Sequence, residues 1–464
     1  MDIVLINTPL KDYDHRLKLT KSTLPVLGLG YIATAISEAG FNVEVLDAEA
    51  LGLGISEIHK HIAERNPNWI GLNLLAPTYE NSVKILGKLP KKTRVMLGGH
   101  QAKAMPQDIL CDNRIPRIDA LIVGEAETRA VELLRNPNRA NELPNVFNRK
   151  SCDTLILSNK EKIHWLSPDI NSLPYVNRDF LPNDPFLAED GRWEANIVGS
   201  RGCPFDCSFC GAAVSANPDI TIRMRTVEHI IGEMKHLNAT YGCTAFRFVD
   251  DLFLANPRFM RRIFEGFVES SLHKRIIWDA TGRLNVIDKM DNEFVALMKK
   301  AGCREVALGI ESGSDRLLEY IDKKLSREQI LRSVKKLLDH GINIKGYFIL
   351  GFPTETADEL DMTLSLVEEL WQMSDLSSAT FRCSVFEFRP YPGTPEWNRL
   401  LETGAFKKEQ LLSLDHAAIE VREERDQFSF STNIQFSEVP LKEVRRHVSE
   451  IMNLQSDRIS RNAL

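Results

Sequence analysis

Ser200-Arg-Gly-Cys-Pro-Phe-Asp-Cys-Ser-Phe-Cys210-Gly211 is the stretch on which the reading of this 464-residue chain turns. Cys203, Cys207 and Cys210 form a CxxxCxxC array, with Phe209 just before the third cysteine and no fourth cysteine nearby. One short loop thus offers three thiolates to an iron–sulfur cluster and leaves one iron open to chelate a small molecule; a four-cysteine cluster is closed and normally only moves electrons. Structural zinc is the competing reading, but zinc sites usually pair C-x-x-C units and close to four ligands. A disulfide framework fits less well, because eight cysteines in a chain of this length are sparse and no signal-peptide pattern opens it.

Composition bounds the rest. The length suits two or three domains, each with its own core. Hydrophobic residues make up 43% and charged ones 26%, with no apolar run of membrane-spanning length. The net charge of −6 argues against broad nucleic-acid binding. Free thiols and an oxygen-sensitive cluster point to a reducing cytoplasm. The scattered Cys111, Cys152, Cys243, Cys303 and Cys383 read as small buried hydrophobes, with Cys303 and Cys383 close enough to strands to face a cavity.

Upstream of the array, strands are expected at Asp2–Asn7, Asn42–Leu46, Trp69–Leu75, Arg94–Leu97 and Ala120–Val123, alternating with helices such as the one at Leu27–Gly40. This is the pattern of a doubly wound sheet, which binds ligands at the carboxyl ends of its strands. Gly28 and Gly30 lack the third glycine of a dinucleotide fingerprint and do not directly follow a strand, so a nicotinamide cofactor is not expected. Residues 136–193 read as a linker, with turns at Pro168, Pro174, Pro182 and Pro185. From 194 to 395 six further strands are expected, at Glu194–Val198, Ala245–Val249, Ile276–Ala280, Glu305–Ile310, Ile344–Leu350 and Ser384–Phe388, each ending in polar or glycine-rich sequence. Residues 396–464 read as an amphipathic helical cap with Trp397, Leu400 and Leu401 inward, a charged run at Arg422–Arg425 and a short strand within Gln427–Asn433.

The cysteine array and its flanks resemble the radical S-adenosylmethionine (radical SAM) superfamily, and the order of strand ends is similar to that family's partial (β/α)6 barrel. The N-terminal segment resembles the cobalamin-binding domain that precedes the barrel in one radical SAM class: Pro9 after the first strand, Pro25-x-Leu27-Gly28-Leu29-x-Tyr31, Pro77-Thr78, Gly98-Gly99 and Gly124-Glu125-x-Glu127. The resemblance implies an α/β protein with three cofactors: a [4Fe–4S] cluster on Cys203, Cys207 and Cys210, SAM and cobalamin. Phe209, Asp250, Asp251, Arg283, Glu311, Ser312, Gly351 and Tyr391 are the implied SAM contacts; Thr78, Gly98, Gly99, Gly124 and Glu125 the implied cobalamin contacts. The Asp-x-His-x-x-Gly motif that supplies an imidazole to cobalt is absent, and His100 lacks the preceding Asp, so cobalamin without a histidine ligand is expected. The implied activity is methylation of an unactivated carbon of a small molecule or natural product, with a flavodoxin or ferredoxin as electron donor. A cyclase, oxidase or rearrangement enzyme of the same architecture stays open, as does hydrogen abstraction without cobalamin. An iron–sulfur carrier or sensor is the alternative of another class; it has no use for polar strand ends.

Overall fold

In the computed structural model, residues 1–15, 18, 24–155, 169–216, 222–407, 419–421, 430–432 and 434–462 are described. They fall into two compact units, one drawn mainly from Met1–Pro185 and Tyr391–Thr432, the other from Phe186–Val214, Ile222–Pro390 and Asn433–Leu464.

The first unit is built on strands β1 (Ile3–Asn7), β2 (Val43–Asp47), β3 (Trp69–Asn73), β4 (Arg94–Gly98) and β5 (Ala120–Ile122), all parallel, with a short antiparallel β6 (Val146–Phe147) beside β5. Alternation within β1 explains the two-sided packing. Ile3 and Leu5 join one core with Leu29, Ala33, Ile36 and Leu133 of the helices Leu27–Glu38 and Glu127–Arg135. Val4 and Ile6 join the other, with Ile58, Ile62, Val83 and Leu86 of the helices Ile55–Arg65 and Tyr79–Leu86. The strand order β2-β1-β3-β4-β5-β6 reverses between β1 and β3, the switch point at which such sheets open a crevice for ligands.

The second unit is a seven-stranded half-barrel. Its six parallel strands are β8 (Trp193–Ile197), β11 (Cys243–Phe248), β12 (Ile277–Gly282), β13 (Cys303–Glu311), β14 (Asn343–Leu350) and β15 (Phe381–Glu387), with β7 (Phe186–Leu187) antiparallel at the edge, in the order β15-β14-β13-β12-β11-β8-β7. A separate ribbon pairs β9 (Ser200–Arg201) with β10 (Arg223–Met224). Phe246, Phe248, Trp278, Val306, Ile344 and Phe348 are buried on the convex face beneath helices, where Phe264 stacks on Trp278 at 5.3 Å. The intervening strand residues line the concave face.

Residues 136–185, read as a linker, pack on the first unit: β6 extends its sheet, the Asn177 N–H donates to Thr34 Oγ1 (3.0 Å), and Val176 packs against Gly30, where a Cβ would approach to 2.8 Å. Two expectations need correction. The C-terminal segment is not one cap. Its first helix, Pro395–Glu402, packs Trp397 on Phe406 in the first unit; its last, Leu441–Asn462, covers β15, where Gln455 accepts the Cys383 N–H (2.8 Å). Finally, Cys111 and Cys152 are not separate buried thiols but a disulfide. Arg149 donates to the Asp112 carbonyl (2.9 Å), folding this turn back so that the two Cα atoms lie 5.3 Å apart, within bonding reach. Cys243, Cys303 and Cys383 are buried and in no disulfide, as expected. Phe430–Thr432 is a strand, paired antiparallel with Ile419–Val421, whereas Arg422–Arg425 and Pro168 lie outside the described residues.

Candidate active site

The cysteine loop leaves the carboxyl end of β8 through Gly199, where a Cβ would meet the Phe253 ring at 2.6 Å. Asp250, just after β11, fastens this turn: its carboxylate accepts the Gly199 N–H (3.0 and 3.1 Å) and the Ser200 hydroxyl (2.5 Å). Burial pushes the Asp250 carboxyl up to about 7 although these donors pull it down. Asp251 is exposed and accepts the N–H of Gly202, which precedes Cys203, at 3.3 Å. Further along, the Ser208 N–H donates to the Ile321 carbonyl (3.0 Å) and the Val214 N–H to the Phe205 carbonyl (3.1 Å), closing the loop on itself.

Cys207 is buried, and Cys203 and Cys210 are partly exposed. Arg283, at the end of β12, donates from Nη1 to Cys207 Sγ (2.9 Å) and from Nη2 to the Lys323 carbonyl, and its guanidinium lies 3.9 Å from the centre of the Phe205 ring. The Ala212 N–H donates to Cys210 Sγ (3.4 Å). Burial raises the Cys203 thiol against the pull of the Phe205 N–H and Arg283, and pushes Cys210 up to about 12 against that of the Ala212 N–H and Lys323. Three free thiols in one loop, with N–H and guanidinium donors already on sulfur, fit an iron–sulfur cluster, whose charge favours the thiolates.

Around the loop, Glu311 closes β13 at φ 70° after a register shift and accepts from Lys323 Nζ at 2.6 Å, both side chains buried. Gly309 makes room for this pair: a Cβ there would stand 2.3 Å from Glu311 Oε1 and 2.7 Å from Lys323 Nζ. Lys323 Nζ lies 5.9 Å from the Phe209 ring, which meets Phe352 edge-on at 5.4 Å. Beside Phe352, Gly351 turns the chain at φ 90° and donates its N–H to Glu355, which also accepts the Phe352 N–H (3.1 Å). Burial pushes the Glu355 carboxyl up to about 8, and its Oε1 has no partner among the described residues.

The structure therefore gathers Cys203, Cys207, Cys210, Phe209, Asp251, Arg283, Glu311 and Gly351 around one loop. Asp250 is committed to the loop's backbone, and Ser312 is buried, accepting the Ser314 N–H (3.1 Å) beside Thr363 Oγ1 (3.3 Å). Tyr391 belongs to the first unit. Phe205, from inside the cysteine run, and Lys323, Gly309 and Phe352 join the site although none was expected there; only the fold brings Lys323 to Glu311.

In the first unit, Thr78, Gly98, Gly99 and Gly124 lie at the carboxyl ends of β3, β4 and β5. Gly99 (φ 95°) and Gly124 (φ 100°) hold backbone that only glycine adopts readily. Thr78 donates to the Leu75 carbonyl (3.4 Å), and the Glu125 carbonyl accepts from buried Arg129 Nε (2.9 Å). At the β1–β3 switch point, Asn7 donates to Asp47 Oδ1 (2.7 Å), Ser82 to Thr8 Oγ1 (3.0 Å) and Asn81 to the Pro9 carbonyl (3.0 Å). Bare glycine backbone beside small polar side chains suits a flat ring that must approach closely. His100 is exposed at the start of a short helix.

A radical SAM superfamily model matches residues 197–367, and a B12 binding domain model matches residues 18–134. An uncharacterized methyltransferase of Pyrococcus horikoshii is 31% identical over 417 residues, covering 88% of this chain and 86% of that protein. Cytidylyl-2-hydroxyethylphosphonate methyltransferase of Streptomyces wedmorensis is 25% identical, with 88% and 83% covered. Among solved structures, the radical SAM methyltransferase TsrM of Kitasatospora setae, bound to tryptophan and a SAM analogue, aligns with a TM-score of 0.67 at 18% identity over 87% of this chain and 76% of its own, a likeness of fold. Family models, relative and fold agree: the chain belongs to the cobalamin-dependent radical SAM methyltransferase family, with a [4Fe–4S] cluster, SAM and cobalamin as its cofactors.

Proposed function

We propose that this enzyme methylates an unactivated carbon of a small molecule or natural product. The observation that carries the reading is the trio of free thiols at the carboxyl-end mouth of the half-barrel, in a chain that also holds a B12-type sheet. When bound, the cluster with SAM supplies a hydrogen-abstracting 5′-deoxyadenosyl radical, and cobalamin supplies a transferable methyl group.

The chain's own residues divide the remaining work. Cys203, Cys207 and Cys210 hold the cluster, and Arg283 places positive charge against the Cys207 sulfur. Asp251, the exposed carboxylate beside the loop, receives the methionine ammonium, as a charge-assisted partner should. Glu311, steadied by Lys323, serves the ribose; the aromatic edges of Phe209 and Phe352 with the Gly351 backbone serve the adenine. Thr78, Gly98, Gly99, Gly124 and Glu125 would seat cobalamin, and the chain has no Asp-x-His-x-x-Gly sequence to offer it an imidazole. A relative named for a hydroxyethylphosphonate derivative, and a fold neighbour solved with its tryptophan substrate, support a substrate of modest size. A cyclase is the second reading, favoured by a 23% identical anaerobic magnesium-protoporphyrin IX monomethyl ester cyclase of Rubrivivax gelatinosus.

The test is anaerobic reconstitution with iron, sulfide and cobalamin, an electron donor of the flavodoxin or ferredoxin type, and SAM deuterated in its methyl group. Methyl transfer predicts both 5′-deoxyadenosine and S-adenosylhomocysteine, with the label in product. Production of 5′-deoxyadenosine alone, without cobalamin uptake, would reduce the enzyme to hydrogen abstraction.

A further inference from the structure

The concave face of the half-barrel carries a charge pattern that the cluster and SAM contacts leave unused. Residues in register on neighbouring parallel strands share a face. Arg247, Asp279 and Glu305 form one such row across β11, β12 and β13. With Glu194, Arg304 and Arg382 they make an ion-paired floor: Arg247–Glu194 2.7 Å, Arg304–Glu194 2.8 Å, Arg304–Asp279 2.5 Å and Arg382–Glu305 2.6 Å. Here Glu194, Asp279 and Glu305 are answered by Arg247, Arg304 and Arg382, so the charges balance; half-exposed Asp190 touches Arg304 from the rim at 3.7 Å.

One row nearer the strand carboxyl ends stand Thr281, Ala307 and Lys345, and the next holds Gly309, Tyr347 and Ser384. Lys345 is half-buried, and its register neighbour on β15 is another cation, Arg382. Among the described residues its ammonium meets no carboxylate, and the Tyr347 ring lies 4.9 Å from it. The hydroxyls of Tyr347 and Ser384, also half-buried, likewise have no hydrogen-bond partner among the described residues. Ala307, the register neighbour of Lys345 on β13, offers it no polar partner. A half-buried ammonium beside another cation is poorly satisfied by a ring face, whereas an oxyanion would take hydrogen bonds from all three groups.

We infer that Lys345, Tyr347 and Ser384 form an oxyanion subsite, and that the substrate carries a carboxylate or phosphoryl group which this subsite receives. The inference rests on reading the concave face as the substrate chamber of the proposed enzyme. It takes Lys345 as a specificity-determining residue rather than a group that reacts.

The experiment is calorimetric titration of the reconstituted holoenzyme with phenylphosphonate, phenylacetate and neutral phenylacetamide, comparing wild type with Lys345→Met and Lys345→Arg. Wild type should bind at least one anion in preference to the amide, the preferred anion identifying phosphoryl or carboxylate. Lys345→Met should weaken that anion about tenfold or more and leave the amide unmoved, while Lys345→Arg retains most of the affinity. Iron content and melting temperature establish that the variants fold. Equal binding of anions and amide by wild type, or unchanged anion affinity in a folded Lys345→Met protein, overturns the inference. A wild type that makes 5′-deoxyadenosine but transfers no methyl group sinks the methyltransferase reading and leaves this one standing.

Discussion

Replacing Gly99 by alanine should damage the first unit and its cobalamin site together while sparing the cluster. Gly99 sits between β4 and the helix His100–Ala104 at φ 95° and ψ −179°, a region open essentially to glycine alone. A Cβ there would lie 2.2 Å from Asn73 Oδ1, 2.7 Å from the Leu74 carbonyl oxygen and 3.0 Å from the Leu74 nitrogen. The Asn73 side chain can swing away, but the Leu74 backbone cannot: its N–H donates to the Gly98 carbonyl (2.8 Å) and its carbonyl accepts the Gln101 N–H (3.0 Å). Backbone strain of about 1–3 kcal/mol and overpacking of a similar size together give roughly 2–5 kcal/mol. Because the displaced backbone is the carboxyl-end surface of β3 and β4, cobalamin retention after gel filtration should fall with the melting temperature. Iron per chain, read on the same sample, should stay at the wild-type level. A Gly99→Ala protein that melts like wild type and retains cobalamin fully would refute both the strain argument and the location of the site.

Changing Cys203, Cys207 and Cys210 to alanine together should abolish an iron content of about four per chain; persistent iron and brown absorbance would contradict the assignment. Asp251→Asn should weaken SAM binding by roughly 1.5–3 kcal/mol with little change in melting, whereas Asp250→Ala should mainly lower the melting temperature; the reverse assignment of effects would show that the wrong carboxylate was chosen. Lys323→Met leaves the buried Glu311 carboxylate unpaired and should cost about 3–5 kcal/mol, partly restored by adding Glu311→Gln; denaturant titrations showing no recovery in the double variant would count against the pair. Burial raises Glu355 from its usual 4.5 to about 8, so the folded chain holds that proton more tightly than the unfolded one and loses stability as pH rises between those values, levelling off above. Glu355→Gln should flatten this part of the profile between pH 5 and pH 8; identical slopes in both proteins would show that the carboxyl titrates normally.

The six barrel strands and five parallel strands of the first sheet were legible because both read as apolar runs punctuated by glycine and polar residues, and such strands are buried on at least one face. The cluster ligands were legible because they are close in sequence. What stayed hidden depends on residues far apart in the chain. Arg283 was implied only as a SAM contact, yet it reaches a sulfur 76 positions earlier. Asp250 and Asp251 are indistinguishable as letters; the direction of each side chain at the end of β11 sends one under the loop and leaves the other in solvent. The Cys111–Cys152 bond could not be read from two isolated cysteines, since it depends on how Arg149 folds the intervening turn. The division of the C-terminal segment between two units was equally invisible, because amphipathicity says that a helix packs without saying against what.

The fastenings of the cysteine loop have a consequence for the life cycle of the enzyme. Asp250 under Gly199 and Ser200, Asp251 on Gly202, the β9–β10 ribbon and the Ser208–Ile321 and Val214–Phe205 bonds all shape the loop without passing through sulfur. In small zinc domains the metal is the fold, and chelation unfolds the chain. Here the loop's backbone is held by bonds that do not run through the metal ligands, so iron should arrive at a prepared cradle. Oxygen damage to the cluster should therefore leave a folded protein that can be reloaded, and repair becomes a matter of cofactor supply instead of new synthesis.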